Sequence, residues 1–511
     1  MRPTPDRQDP SDVRRWAGDP WQVRVLDPAT APQVKDRPAP LATAYVGPRV
    51  LVRRGPDAAA VQERLVRAAR ELGWDVEFED EDERTRELEF GVLIGTITVA
   101  EGKAVRPPDG FLLLQQARAT GGADAVLGAG LDHVLHATTI GSDPLHDSSP
   151  LHDSSPLHDS SPLHDSSPLH DSSPAMSYLY AGQGGRQPVR FVGAPPRRSD
   201  DSEIKGRRPV VAVLDTGCGA HPWLDDVVDT GVTLNGATIG RDTAVTDPEV
   251  FFDQVGPLDG VIDPLSGHGT FIAGLVHQTC PDADILSWRV VPSDGPIVES
   301  ELVTALSQIA ELAKLYRTHK PGGVAIDVLN LSMGYYHESP EDADFDPIMM
   351  GVLEILASHG VVVVASAGNN STSRPCFPAA YSLSAMTVPV VSVGALNPND
   401  TDALFSNVGH WVTAYRPGAA VVSTIPPVFR GGLEPAARWT SHDRTRESLD
   451  PDDFSSGFAL WSGTSFSAPI AAAEVAAALL GRLETDGKVE DKSTAVDLVR
   501  AAVGECFPPA P

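Results

Sequence analysis

The sequence predicts an α/β protein built on a doubly wound, mostly parallel sheet, with a small N-terminal α+β domain joined to it by a low-complexity linker. Three observations carry this expectation. From about Glu203 onward the chain holds continuous apolar runs: PVVAVL (209–214), ADILSWRVV (283–291), VAIDVLNLS (324–332), VVVVASAG (361–368) and VPVVSVGAL (388–396). Runs without polar alternation fit strands covered on both faces, as in a parallel sheet. Helical stripes lie between them, one through Leu302, Ala305, Leu306, Ile309 and Leu312 and another in MMGVLEILASHG (349–360). Strand and helix therefore alternate, the pattern of doubly wound domains. Finally, 511 residues exceed what one compact core usually holds.

The elements before this domain follow in order. Residues 1–40 are rich in Pro, Asp and Arg without a hydrophobic period and are expected to be disordered. Residues 41–137 read as a small α+β unit. Val50 and Val52 mark a strand, and Asp57 is placed to cap a helix with the stripe Val61, Leu65, Ala68, Ala69 and Leu72. Gly73 ends that helix, Trp74, Val76 and Phe78 alternate with acidic residues as a half-wet strand, and a strand (91–99) and a helix (111–119) follow. Residues 138–202 are expected to be a linker. Within them, 145–174 are five copies of Leu-His-Asp-Ser-Ser-Pro, in which a proline at every sixth position prevents helix. Their histidines are of a metal-ligating type, but a solvated spacer is the expected reading. Residues 203–511 form the main domain.

Composition excludes several classes of function. There are 69 acidic and 40 basic residues, a formal charge of -29, which argues against nucleic acid or an anionic membrane as the main partner. No stretch approaches the roughly 18 apolar residues of a membrane span. The first twenty residues show arginines but no apolar run, unlike a secretory signal, so a cytoplasmic location is expected, with non-classical export left open. The four cysteines, Cys218, Cys280, Cys376 and Cys506, then read as free thiols. Thiol-reagent sensitivity through Cys218 or Cys280 is a further expectation, because both lie near the candidate chemistry.

That chemistry should sit just after the apolar runs, since open α/β sheets bind ligands at the carboxyl ends of their strands. Asp215 follows PVVAVL and opens Asp-Thr-Gly; it suits a carboxylate that orients a histidine, or a simple turn. His268 stands in Ser-Gly-His-Gly-Thr, where flanking glycines admit close backbone approach. Ser465 stands in Ser-Gly-Thr-Ser-Phe-Ser-Ala-Pro, before the apolar run IAAAEVAAALL. At the start of such a helix a serine has its own N–H and the positive end of the helix dipole facing any oxyanion; a plain helix cap fits as well. Pro469 is expected in the first turn, where no N–H is missed. Asn369, after VVVVASAG, offers an amide donor at a strand end.

Together these residues occur in the order Asp, His, Asn, Ser, with 53 residues from Asp215 to His268 and 197 from His268 to Ser465. Asp…His…Ser is the order found in subtilisin. Asp-Thr-Gly, Gly-His-Gly-Thr and Gly-Thr-Ser-Phe-Ser-Ala-Pro each resemble a signature of the subtilisin-like serine proteases, and the resemblance spans roughly 205–485. It implies a serine endopeptidase needing no cofactor, with Asp215, His268 and Ser465 as a triad and Asn369 in the oxyanion hole. It further implies that Ser332, Met333 and Gly334 pair with a substrate backbone, and that Ala365, Ser366, Ala367 and Gly368 wall the primary specificity pocket. A protein or peptide is the implied partner.

Departures accompany the resemblance. Tyr335 and Tyr336 stand where the family often has a second glycine and are expected to narrow the cleft, while Phe271 replaces a frequent histidine. No calcium loop is recognisable, and the polar insert between Thr424 and Ser462 matches nothing. Competing readings are a catalytically silent binding module of the same fold, an acid-active relative with a carboxylate base, and an acyl transferase on the same triad. The unit 41–137 matches, in outline only, the propeptide of the family, so contact with the peptidase domain is expected; a regulatory or target-recruiting domain fits the same pattern.

Overall fold

A computed structural model describes residues 21–33, 38–79, 86–137, 140, 174–255, 258–293, 295–339, 347–483 and 491–508. All of the repeat histidines lie outside these residues, as do 1–20 of the expected disordered segment.

In the N-terminal unit, β1 (Arg49–Arg53) is followed by α1 (Ala58–Leu72), β2 (Trp74–Phe78), β3 (Val92–Val99), α2 (Gly110–Gly121) and β4 (Ala129–Gly130). The sheet order is β2-β3-β1-β4, antiparallel throughout. The stripe Val61, Leu65, Ala68 and Ala69 of α1 packs with Phe111 and Leu114 of α2 and with Val50 and Val52 of β1. Gly73 closes α1 with a left-handed φ of 77°. Two expectations fail here. Asp57 sits at the cap in a helical conformation and makes no side-chain cap bond, whereas Asp109, extended, caps α2 through Leu112 N at 3.0 Å. The chain before residue 40 is also partly ordered: Val23–Val25 pairs antiparallel with Ala44–Val46, Leu26 is buried, and Arg24 forms an ion pair with Asp109. A buried leucine and one such ion pair tie this segment down despite its polar composition.

The main domain is entered through β5 (Val134–Ala137) and β6 (Gln187–Pro188), neither of which belongs to its central sheet. The sheet strands are β7 (Val210–Asp215), β8 (Val228–Asp229), β9 (Asp284–Arg289), β11 (Val328–Leu331), β13 (Val362–Ser366), β14 (Val391–Leu396) and β15 (Ala414–Pro417). Between them come α3 (His268–Thr279), β10 (Pro296–Val298), α4 (Glu299–Arg317), β12 (Met333–Gly334) and α5 (Pro347–Ser358). After them come β16 (Val421–Thr424), β17 (Phe458–Trp461), α6 (Thr464–Leu479) and α7 (Lys492–Cys506). The order is β8-β9-β7-β11-β13-β14-β15, every pair parallel. Each apolar run read from the sequence lands in this sheet. Alternation within β7 divides the core: Val211 and Val213 pack with α3 and α6, while Ala212 and Leu214 pack with α4 and α5.

The described end of the expected linker, 174–202, packs on the main domain. Ala175 is buried against Ala395 and Phe405, β6 pairs antiparallel with β17, and the Arg186 guanidinium donates to the carbonyls of Ile262 and Ser266. The polar insert leaves β16, carries an exposed hairpin of Arg438–Ser441 and Arg444–Glu447, and returns as β17, which pairs antiparallel with β16.

The two units share a core. Leu51, Phe90 and Leu135 of the N-terminal unit lie in one buried cluster with Met349, Leu353 and Met333. Beyond it, β5 runs antiparallel between β10 and β12, with Leu135 opposite Ile297, His136 opposite Pro296 and Gly334, and Ala137 opposite Met333. Leu135 is fully buried there. Leu135→Asp is expected to undock β5, because an unpaired charge would have to enter this apolar site. Hydrogen exchange should then show at least tenfold loss of protection at 134–137 with protection of 210–215 unchanged.

Candidate active site

The carboxyl ends of the central strands bring Asp215 and His268 into contact, while among the described residues His268 Nε2 is buried and meets no hydrogen-bond partner, Ser465 included. Asp215 is the last residue of β7, and its Oδ1 lies 2.7 Å from His268 Nδ1. Both side chains are fully buried. Asp215 Oδ1 also accepts from the Thr216 N–H at 2.8 Å and lies 3.1 Å from Thr216 Oγ1. His268 is the first residue of α3, so its side chain leaves the sheet-facing end of the helix toward β7. The close approach depends on Gly269, where a Cβ would stand 2.0 Å from the Gly217 carbonyl oxygen.

Ser465 lies in the first turn of α6, and the next residue, Phe466, places its ring 5.3 Å from the His268 ring. Trp461 packs edge-on to the same imidazole at 5.6 Å. Pro469 is the sixth residue of α6, not a member of its first turn as expected. Lacking an N–H, it cannot donate to the carbonyl four residues earlier, which is that of Ser465. Ser332 Oγ takes over that role, donating to the Ser465 carbonyl at 3.0 Å, and is itself reached by Asn330 Nδ2 at 3.0 Å. The nucleophile candidate is thereby bonded to the segment that the sequence marks as the cleft edge.

Asn369 is oriented by Thr464, whose N–H and hydroxyl each donate to Asn369 Oδ1 at 2.9 Å. That turns the NH2 edge of Asn369 away from Thr464. Ala365 and Ser366 end β13, and Ala367 N donates to the Val393 carbonyl at 2.9 Å. Gly368 adopts a φ of 101° and its N–H meets Thr464 Oγ1 at 3.1 Å; a Cβ would lie 2.5 Å from Asn407 Nδ2. All four wall residues and Ser332, Met333 and Gly334 are buried, and β5 of the same chain pairs with the edge read as substrate-binding.

Three features were not legible in the sequence. Tyr335 and Tyr336 are buried and bonded within the fold. Tyr336 is bonded to Asn370 Oδ1 and Asn407 Nδ2 (2.8 and 2.9 Å), and Tyr335 stacks on His133 of the N-terminal unit at 4.7 Å. Cys218 and Cys280 are poor thiolates: burial first, then nearby carboxylates including Glu249, raises Cys218, and burial pushes Cys280 up to about 11. Lastly, His133 is held between two glutamates of the main domain, Nδ1 to Glu299 Oε2 at 2.6 Å and Nε2 to Glu338 Oε2 at 2.8 Å, all three side chains being at most 2% exposed. Alongside it, Asp132 accepts from Ser300 N at 3.0 Å, capping α4, whose own N-cap residue Val298 has no side chain for the task.

The subtilase family model matches residues 206–501. The chain belongs to the subtilase family. It is 27% identical over 240 residues to an intracellular serine protease of Paenibacillus polymyxa, covering 44% of this chain and 61% of that protein. It is 24% identical over 246 residues to the major intracellular serine protease of Bacillus subtilis (strain 168), covering 45% and 64%. Under two thirds of each relative is therefore matched. Among solved structures it is similar to fervidolysin from Fervidobacterium pennivorans, a keratinolytic enzyme related to subtilisin, at 18% identity and a TM-score of 0.44, covering 89% of this chain and 58% of that one.

The His133 clamp gives docking a pH dependence of defined sign. Burial alone would lower His133, but the hydrogen bonds and charges of Glu299 and Glu338 outweigh it and hold the imidazole well above its ordinary value. Its contribution is full below the undocked value near 6.5 and is lost as pH rises through the raised one. Burial alone would raise Glu338, but His337 and His133 outweigh it and hold that carboxyl well below its ordinary range, so its contribution is lost only in strong acid. Protection of 134–137, corrected for intrinsic exchange, should therefore fall on the alkaline side. His133→Leu should weaken docking by about 1.5–3 kcal/mol, the worth of hydrogen bonds to charged groups, read as lost protection of 134–137, with His337 still beside Glu338.

Proposed function

We propose that this chain is a serine endopeptidase that cleaves peptide bonds through an acyl-enzyme, with Ser465 as nucleophile, His268 as general base and Asp215 as the residue orienting it. The observation that carries the reading is the buried 2.7 Å contact of His268 Nδ1 with Asp215 Oδ1, beside an α6 start locked to Asn369 through Thr464.

The chemistry follows from those positions. Asp215 holds the Nδ1–H tautomer, leaving Nε2 to take the Ser465 proton as the hydroxyl attacks a peptide carbonyl. The tetrahedral oxyanion accepts from Ser465 N–H and Asn369 Nδ2, each donor typically worth ~2.7–4 kcal/mol in the transition state. His268 then gives its proton to the leaving amine, and water releases the acyl group by the same steps in reverse roles. A substrate strand pairs with Ser332, Met333 and Gly334 by strand addition, and its side chain enters the pocket walled by Ala365, Ser366, Ala367 and Gly368. No step calls for a cofactor.

The N-terminal unit acts in this reading as an intramolecular inhibitor, supported by β5 pairing with β10 and β12, where a substrate strand would lie. The expected substrates are proteins or peptides. Among the described residues no helix is long and apolar enough to cross a membrane. We place the enzyme in the cytoplasm, as the names of the two intracellular relatives suggest.

Ser465→Ala should abolish peptide hydrolysis and fluorophosphonate labelling with thermal stability preserved. Mass spectrometry of the wild type should find a cut C-terminal to Ala137 and before Pro174 that the Ser465→Ala chain lacks. Labelling that persists in the variant would remove Ser465 as nucleophile, and an uncut wild type would remove self-processing.

A further inference from the structure

Next to the triad lies a carboxyl group that the mechanism above does not use. Glu249 comes from the irregular segment before α3 and is 2% exposed. Its Oε1 lies 2.5 Å from Thr216 Oγ1 and 3.1 Å from Gly269 N, and its Oε2 lies 2.5 Å from Thr270 Oγ1. Thr216 is the neighbour of Asp215, and Gly269 and Thr270 are the neighbours of His268. Glu249 therefore touches both chain segments that present the Asp215–His268 pair. The charged groups facing it are carboxylates, Asp215 from β7 and Asp247 from its own segment, and the Cys218 thiol faces it as well, kept neutral by burial first and then by nearby carboxylate charge. The nearby Arg289 of β9 gives its Nε and Nη2 to the carbonyls of Arg241 and Thr243, has Asp247 at 3.9 Å, and leaves its Nη1 without a hydrogen-bond partner. Among the described residues no cation forms an ion pair with Glu249.

The hydrogen count at Thr216 Oγ1 accommodates a neutral Glu249. A hydroxyl has one hydrogen to give and two lone pairs to receive. Thr216 Oγ1 accepts from Gly269 N at 2.7 Å and lies near both Asp215 Oδ1 and Glu249 Oε1. Two carboxylates would compete for its single hydrogen, and Glu249 is the nearer. A neutral Glu249 instead donates to Thr216 Oγ1, both lone pairs are filled, and the Thr216 hydrogen turns to Asp215. Thr270 closes the set by donating to Glu249 Oε2 while accepting from Gly219 N at 2.7 Å.

We propose that Glu249 is a positioning residue of the triad: as a neutral acid it donates to Thr216 Oγ1 and so directs the Thr216 hydroxyl onto Asp215, fixing the carboxylate against His268. Its environment agrees. Burial pushes the Glu249 carboxyl up to about 8; the Thr216 and Thr270 hydrogen bonds offset part of that rise, and the charges of Asp215 and Asp247 add to it. Below that pH the donor is in place. Above it Glu249 ionises, claims the Thr216 hydrogen and sets a second negative charge beside Asp215.

The inference rests on the peptidase reading, and one experiment separates the two. Peptide hydrolysis and fluorophosphonate labelling are followed across neutral to alkaline pH in the full chain. The same is done in a Leu135→Asp background, which keeps β5 from masking the serine. Glu249→Ala should lower kcat roughly tenfold, the worth of one hydrogen bond to a charged group, with KM little changed. Glu249→Gln, whose amide donates to Thr216 without titrating, should recover most of that loss and lack the alkaline decline of the wild type. A Glu249→Gln enzyme with the wild-type alkaline decline overturns the proposal, as does a Glu249→Ala enzyme with wild-type kcat. A wild type that neither labels nor hydrolyses peptides in either background instead overturns the peptidase reading beneath it.

Discussion

A contact of 2.7 Å between His268 Nδ1 and Asp215 Oδ1 joins the last residue of a central strand to the first residue of a helix. It is possible only because the backbones at Gly217 and Gly269 nearly touch, at a spacing that no other side chain would permit. Around it the demands of burial accumulate. A carboxylate and an imidazole with no solvent contact depend on the fold for their hydrogen bonds. Thr216 bonds Asp215 Oδ1, Glu249 and Thr270 bond onward from Thr216, and the parallel sheet supplies the rigid edge beneath them, while among the described residues Asp215 Oδ2 and His268 Nε2 have no hydrogen-bond partner. Removing solvent strengthens each of these contacts, and it also makes their protonation states sensitive to one another.

A second constraint acts through Pro469. By deleting one helical hydrogen bond it releases the carbonyl of Ser465, and Ser332 occupies the vacancy. The segment running along the cleft is thus bonded to the residue at the start of α6. A proline that reads as a helix-start signal thus allows, in the folded chain, a bond between Ser332 and the first turn of α6, 133 residues apart. Thr464 makes a comparable link on the other side, orienting Asn369 and bonding Gly368.

Much of this was legible in the sequence. The unbroken apolar runs correctly indicated a doubly covered parallel sheet, because strands with two buried faces leave no room for alternation. The helix of Val61, Leu65, Ala68 and Ala69 was equally visible, since its stripe has the helical period. What failed were local contests decided by tertiary contacts. Asp57 looked like a cap, but its backbone is helical. Val23–Val25 looked too polar to order, yet it gains a strand partner and an ion pair with Asp109. The partners of Tyr335 and Tyr336, His133 and Asn407, lie far away in the chain and could not be read from it. Glu249 and the His133 clamp carry no motif at all. A buried acid becomes notable only when the residues packed against it are known, and a sequence does not list them.

One consequence follows from β5 belonging to the same chain as the groove between β10 and β12. A ligand on a tether meets its site at an effective concentration set by the tether, typically about millimolar for a flexible one. Such a strand needs little affinity of its own to stay in place, and diluting the protein does not remove it. After a single cut between Ala137 and Pro174 the covalent contribution vanishes and occupancy obeys ordinary mass action. The same contacts that hold firmly in the intact chain would then let go on dilution, so the transition is governed by connectivity, with no contact in the interface altered.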